Sequence, residues 1–164
     1  MVSRRILLTV VLGTLFLVPS PARAQDNQAL VRRFLEEVVN QGKLAVIDEV
    51  VASDYVGHAI GSPEVKGSEG LKQRLTMLRT AFPDVHITVD DMVAAGDKVA
   101  TRTTFHGTHK GEYLGIAPTG KTVTATGIGF MRIANGKIQE NWLAGDLLQQ
   151  LGGGPKMAKP AKKK

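Results

Sequence analysis

The run Gly136-Lys137-Ile138-Gln139-Glu140-Asn141-Trp142, which leads on to Asp146, closes the stretch that decides the fold. In this last β-run Ile138, Glu140 and Trp142 share one face by alternation, and Asp146 joins them if the strand stays regular. The run thus places apolar bulk beside a lone carboxylate, which predicts a pocket that holds one acid. Working back to Val99, two further β-runs carry the loops Gly107-Thr108-His109-Lys110-Gly111-Glu112 and Gly115-Ile116-Ala117-Pro118-Thr119-Gly120-Lys121.

The loop Ala134-Asn135-Gly136 decides which residues face Trp142. A two-residue Asn-Gly turn puts Met131 and Gly129 on that face. A three-residue loop with Gly136 in the left-handed conformation puts Arg132, Phe130 and Ile128 there instead. The residues by themselves leave both registers open.

Upstream of the β-runs the chain reads as helical, and leucines dominate the apolar positions. Leu71, Leu75 and Leu78 form a buried stripe with Phe82, while Lys72, Arg74 and Arg79 are expected to face solvent. The apolar spacing predicts a first helix that is capped by Asp26 or Asn27 and ends at Gln41-Gly42, and a short second helix from Leu44 to Val51. An extended segment from Ser53 to His58, a loop from Pro63 to Gly67 and a third helix from Ser68 to Phe82 are expected next. Two strands follow, from His86 to Ala94 and from Val99 to His106. Helices followed by a meander of about four strands predict an α+β cone, in which a curved antiparallel sheet wraps around the N-terminal helices and leaves a cavity at one end.

The two ends of the chain are predicted to lie outside this domain. Arg4-Arg5, the apolar run from Ile6 to Val18 and the small residues Ala22-Arg23-Ala24 are typical of a signal peptide over residues 1–24. The mature chain is then exported to the periplasm or beyond, with the domain at residues 25–151. Residues 152–164 form a Gly/Pro/Lys tail that is expected to be disordered and at most weakly attracted to anionic membrane surfaces.

The net charge of +6 does not indicate a nucleic-acid-binding protein. Of the 21 Lys and Arg residues, three lie in the predicted signal and five in the tail, which leaves 13 against 15 acids in the domain, a net charge of −2. A basic footprint is therefore absent, and no nucleic-acid partner is expected. The sequence has no cysteine, so packing alone must stabilise the fold.

Four motifs together resemble the SnoaL-like polyketide cyclases, also called ester cyclases. They are Phe82-Pro83-Asp84, the Gly-Thr-His-x-Gly-Glu loop, Pro118-Thr119-Gly120-Lys121 and the Gly-Lys-Ile-x-Glu-x-Trp run, and the resemblance covers Ala29 to Gly152. It implies the cone fold that this family shares with nuclear transport factor 2 and the ketosteroid isomerases. It also implies that the Phe-Pro-Asp corner is mainly architectural.

The resemblance assigns roles to particular residues. Asp146 matches the general acid/base of an intramolecular aldol ring closure in which no metal or organic cofactor takes part. His58 matches a pocket histidine, and the position of Arg132 carries a polar side chain in the cavity, which favours the three-residue loop. The predicted site therefore has Asp146 and His58 as catalytic residues, with substrate-binding neighbours Tyr55, Phe130, Arg132 and Trp142.

Other chemistry is poorly supported by the sequence. His106 and His109 have no third ligand at zinc spacing, and the Gly-rich loops lack the Gly-Lys-Ser/Thr element of a phosphate cradle. Arg102, Thr104 and His106 share a face that is either pocket wall or solvent face.

Two function classes stay open. One is an acid/base cyclase or isomerase acting on an apolar, carbonyl-bearing small molecule, and the other is a non-catalytic periplasmic module that binds an apolar ligand or a protein partner. Epoxide hydrolysis of the limonene type ranks last, because it needs an Asp-Arg-Asp set and only Asp146 and Arg132 are evident. A homodimer through the outer face of the sheet is also expected, with Met131, Ile133 and Leu143 as contributors.

Overall fold

The computed structural model describes residues 21–153, so most of the predicted signal peptide and of the Lys-rich tail lies outside the described residues. Within them no helix is long and apolar enough to cross a membrane. The elements are α1 (Pro21–Arg33), a π-helical segment (Phe34–Asn40), a 3₁₀ turn (Leu44–Val46), α2 (Ile47–Val50), β1 (Val51–Ala59), β2 (Ser62–Lys66), α3 (Gly67–Ala81), β3 (His86–Ala95), β4 (Lys98–Thr108), β5 (Thr122–Ala134), β6 (Lys137–Gly145) and α4 (Leu147–Gln150).

The sheet has six strands in the order β2-β1-β6-β5-β4-β3. Strands β3 to β6 form the predicted antiparallel meander. Strand β1, however, pairs parallel with β6, so the sheet is mixed rather than antiparallel throughout. The direction of β1 is not constrained by a hairpin, because most of the domain lies between these two strands. The α+β architecture with helices on the concave face of the sheet is confirmed.

Three local predictions about the helical region need correction. Residues 63–66, predicted as loop, belong to β2, where Val65 pairs with Gly57. Helix α1 already includes Pro21, and Asn27 does not cap it but donates a hydrogen bond to the Gly96 carbonyl at 2.9 Å. Helix α3 starts at Gly67, so Ser68 lies inside it.

The buried stripe of α3 is confirmed and leads into an aromatic cluster. Leu71, Leu75 and Leu78 are buried, and Phe82 is fully so. Phe82 contacts the rings of Phe105, His109 and Tyr113, with centroids 5.0 to 5.6 Å apart.

Asp84 fixes the corner that follows α3. Its carboxylate accepts hydrogen bonds from the main-chain N and the hydroxyl of Thr108, both at 2.7 Å. These donors hold the pKa of Asp84 below its ordinary value. The Phe-Pro-Asp corner therefore joins α3 and β3 to the end of β4, in keeping with an architectural role.

The β5–β6 hairpin has the two-residue turn, so the favoured three-residue loop is wrong. Asn135 and Gly136 both have positive φ, 52° and 71°, as a primed turn requires. The pairing starts with Ala134 opposite Lys137 and Ile133 opposite Ile138, and then shifts so that Arg132 lies opposite Glu140. This bulge at Gln139 reverses the alternation.

The bulge separates residues that strict alternation would have kept together. Ile138 points into the core and is 1% exposed, whereas Glu140 and Trp142 point outward, and Trp142 is 38% exposed. Phe130 pairs with Trp142, so these two residues share a face, as was favoured from the sequence. The register that brings them together comes from the two-residue turn followed by the bulge, and not from a three-residue loop. That shared face is the outer, convex face of the sheet.

Candidate binding cavity

A cavity of about 240 Å³ lies between the helices and the concave face of the sheet. It is smaller than a typical ligand pocket of roughly 300–1,000 Å³ but larger than the space a single benzene ring needs. Its wall is mostly apolar and is built from the π-helical segment, α3 and the inward side chains of the strands. The apolar contributors include Phe34, Leu35, Val39, Leu71, Leu75, Leu78, Ile87, Phe105, Met131, Leu143, Leu147 and Leu148.

Tyr55, like His58, is a predicted site residue that lines the cavity. It lies on β1 and is 4% exposed. Burial raises the pKa of Tyr55 to about 12, and a hydrogen bond with Asn141 offsets part of that rise. The Tyr55 hydroxyl is therefore a neutral hydrogen-bond donor over the whole physiological pH range.

Asn141 is a polar wall residue that the sequence prediction missed. The sequence prediction placed Trp142 in the pocket, so strict alternation turned Asn141 to the opposite face. In the structure it lines the cavity, and its Oδ1 atom is buried with no hydrogen-bond partner among the described residues. A buried acceptor without a partner is costly, so this oxygen is suited to a donor that a ligand brings.

Arg74 was predicted to face solvent and instead lines the cavity. Its guanidinium donates to the hydroxyl of Ser62 and, at 3.1 Å, to the carbonyl of Pro63. Burial raises the pKa of Tyr113, which also lines the cavity, and the charge of Arg74 offsets part of that rise. The misreading arose because the solvent side of α3 at this position is covered by β2, which was predicted to be a loop.

Asp146 lies at the rim of the cavity, and its carboxylate does not line it. One carboxylate oxygen accepts a hydrogen bond from the main-chain N of Thr126 at 2.7 Å, and the other accepts one from Gln150 Nε2 at 3.0 Å. The neighbouring residues Gly145 and Leu147 do line the cavity. The Asp146 carboxylate was predicted to point into the cavity, but in the structure it links β5 to α4 through these two hydrogen bonds.

His58 is among the residues that line the cavity, and its ring contacts Glu64 and Glu140, both at 3.1 Å. Phe130, Arg132 and Trp142 do not line it, so their predicted place in the cavity is not observed. Arg132 pairs with Glu140 at 3.2 Å. Phe130 and Trp142 are 39% and 38% exposed. The bulge in β6 turns Trp142 to the outer face, where Phe130 and Arg132 lie by the alternation of β5, whose Met131 and Ile133 are buried.

Glu140 joins these outer residues into a network. The hydrogen bond from His58, followed by that from Arg132, holds the pKa of Glu140 below its ordinary value. Arg102 and Thr104, whose face the sequence left open, are on the same outer side, where both bond to Asp90.

Comparison with known proteins agrees with the fold and the motifs. The model of the SnoaL-like polyketide cyclase family matches residues 29–152. The aklanonic acid methyl ester cyclase DnrD of Streptomyces peucetius is 30% identical over 115 residues, which span 68% of this chain and 79% of that protein. The equivalent cyclase DauD of Streptomyces sp. (strain C5) is also 30% identical, over 68% of this chain and 71% of that protein.

Solved structures give the same result. The structure of TsrD from Streptomyces laurentii is 30% identical with a TM-score of 0.69, over 78% of this chain and 96% of that chain. A SnoaL-like protein from Jannaschia sp. CCS1 is 23% identical with a TM-score of 0.74, over 83% of this chain and 97% of that chain, and supports the fold. The chain therefore belongs to the SnoaL-like polyketide cyclase family.

Proposed function

We propose that this protein binds a small, mostly apolar molecule that carries at least one carbonyl oxygen, with the ring system in the cavity. The observation that carries the proposal is the cavity itself. Its wall is apolar except for a few convergent polar groups, among them Tyr55, Arg74 and Asn141. An apolar pocket with a few placed donors is the usual form of a small-molecule site, and it suits the polyketide-type substrates of the family.

The test is direct titration of the full chain with 2-acetylnaphthalene, a neutral bicyclic ketone. We expect saturable binding and a rise in melting temperature, because a ligand that binds only the folded state stabilises it. Ala59→Trp should block the cavity, which Ala59 lines, whereas Val56→Trp on the outer face of the same strand is the matched control. Equal affinity in both variants would mean that the probe binds elsewhere.

A second candidate is acid/base catalysis by Asp146, of the aldol cyclisation or isomerisation type. It is supported by the relatives, which are named as aklanonic acid methyl ester cyclases, and by the position of Asp146 between two lining residues. To reach a substrate, the carboxylate must leave the Thr126 amide and Gln150 and turn towards the cavity. The catalytic proposal therefore requires that ligand binding breaks these two hydrogen bonds of the Asp146 carboxylate.

Two further expectations belong with this proposal. Export to the periplasm or beyond is supported by the sequence of residues 1–24.

Dimerisation through the outer face of the sheet is supported by a row of exposed apolar side chains that includes Val93, Phe130 and Trp142. Met131 and Ile133, expected on that face, are buried in the core, at 4% and 3% exposure, and Leu143, also expected there, lines the cavity instead. Light scattering that shows only monomer at micromolar concentration would contradict the dimer.

A further inference from the structure

Among the described residues, the cavity wall carries permanent charge of one sign only, which is positive. Among the lining residues that the structure describes, Arg74 carries the only permanent charge, and there is no Asp or Glu. Arg74 also forms no ion pair with an acid in residues 21–153. A half-buried cation without a counter-ion favours a ligand that brings a negative charge.

The guanidinium is also held in position to bind such a group. Ser62 and the Pro63 carbonyl accept two of its hydrogen bonds. A guanidinium has five N–H donors, so these partners leave donors available, and its planar fork matches both oxygens of a carboxylate. Ser62 and Pro63 accept through neutral oxygens, which fix the orientation of the group without cancelling its charge.

Arg74 shares the cavity wall with other polar groups, among them Tyr55, Tyr113 and Asn141. Asn141 Oδ1 has no hydrogen-bond partner among the described residues. Hydroxyl-bearing residues Thr101, Thr103 and Thr126 also line the cavity, whereas the leucines of α3, Met131 and Phe105 supply apolar wall. A wall with one permanent positive charge and a large apolar area fits a molecule with an acidic end and an apolar ring system.

We infer that the ligand of this cavity is an aromatic or polycyclic carboxylic acid, bound as the carboxylate, with Arg74 as its ion-pair partner. This inference rests on the proposed function, and it narrows the ligand from carbonyl compounds in general to free acids. An ester or amide of the same ring system offers the same carbonyl but lacks the charge. Arg74 is thus the residue that determines specificity for the acid.

The experiment compares 2-naphthoate with 2-naphthamide, which have the same ring system and differ in charge, by calorimetric titration of the full chain. We expect 2-naphthoate to bind at least about tenfold more tightly, as a charge-assisted pair should. Arg74→Gln should weaken 2-naphthoate by about 10- to 100-fold and change the amide by less than about threefold. Arg102→Gln removes an equal charge from the outer face and should change neither probe.

The outcomes separate the inference from the proposed function. Equal binding of the two probes to the wild type would overturn the assignment of an acid while leaving the apolar cavity in place, and this comparison needs no variant to fold. An unchanged 2-naphthoate affinity in Arg74→Gln would overturn the role of Arg74. Failure of both probes and of the neutral ketone to bind would overturn the proposed function and this inference with it.

Discussion

The imidazole ring of His58 stacks on the indole of Trp142, with ring centroids 5.5 Å apart and planes inclined by 19°. The two residues are cross-strand partners in the parallel pair of β1 and β6, on the outer face of the sheet. The hydrogen bond of His58 with Glu140 and its contact with Glu64 hold its ring over the indole. Two residues that the sequence predicts for the site thus form a surface cluster, and the consequences can be measured.

Replacing Trp142 with Ala should leave cavity binding unchanged. The indole is 38% exposed, so its removal should cost less than the roughly 3–5 kcal/mol of a fully buried aromatic residue. Urea unfolding gives the stability change, and titration with 2-acetylnaphthalene gives the affinity. A loss of probe affinity beyond about threefold would place the indole in the binding site after all.

Gly57→Ala should disrupt the cavity from within. A Cβ atom on Gly57 would lie 2.6 Å from the Tyr55 hydroxyl oxygen, so the Tyr55 ring must move. We expect weaker binding of the ketone probe, because the displaced ring enters the cavity and its donor is misplaced. Val56→Ala, on the same strand and facing outward, is the control and should retain the wild-type affinity.

Asp146→Asn tests the catalytic proposal. The amide keeps one acceptor for the Thr126 amide, so folding should survive while proton transfer fails. With a confirmed substrate we expect the rate to fall by about 10²–10⁴, the usual contribution of general acid/base catalysis, with little change in ligand affinity. Turnover at the wild-type rate would show that Asp146 is not the acid/base.

The pKa of Glu140 predicts part of the acid sensitivity of the fold. Because the folded-state pKa of this carboxyl is lowered from 4.5, the unfolded state binds the proton more readily. The stability that Glu140 contributes is therefore complete above pH 4.5 and is lost as the pH falls through the lower folded-state value. Melting temperatures between pH 6 and pH 3 should fall less steeply in Glu140→Gln than in the wild type.

Export predicts a defined mature N-terminus. When the full sequence is expressed in a bacterium, the protein should be recovered from the periplasm or medium, and N-terminal sequencing should start at Gln25. Replacing Arg4 and Arg5 with Asp should retain the protein in the cytoplasm, because the positive start of the signal is lost. Recovery of uncleaved wild-type protein from the cytoplasm alone would contradict the prediction.

Local patterns in the sequence were enough to predict the family, the α+β architecture and most elements of the fold. Leucine spacing identified the buried stripe of α3, and Pro83 marked the end of that helix, because both signals depend only on near neighbours along the chain. The meander of β3 to β6 followed from turn residues and alternation in the same way. Tyr55 was also correctly predicted in the cavity wall.

Only the tertiary structure decided which side chains face the cavity. The bulge at Gln139 forms because β6 pairs with its neighbours in one particular register, and a single extra residue sends alternate side chains to opposite faces. It moves Trp142 outward, opposite Phe130, and brings Asn141 inward. Arg74 likewise became a cavity residue because β2 covers it. Which side chains of an element face the cavity depends on its contacts with segments that are distant in the sequence. The local periodicity of a strand or helix carries no information about those contacts.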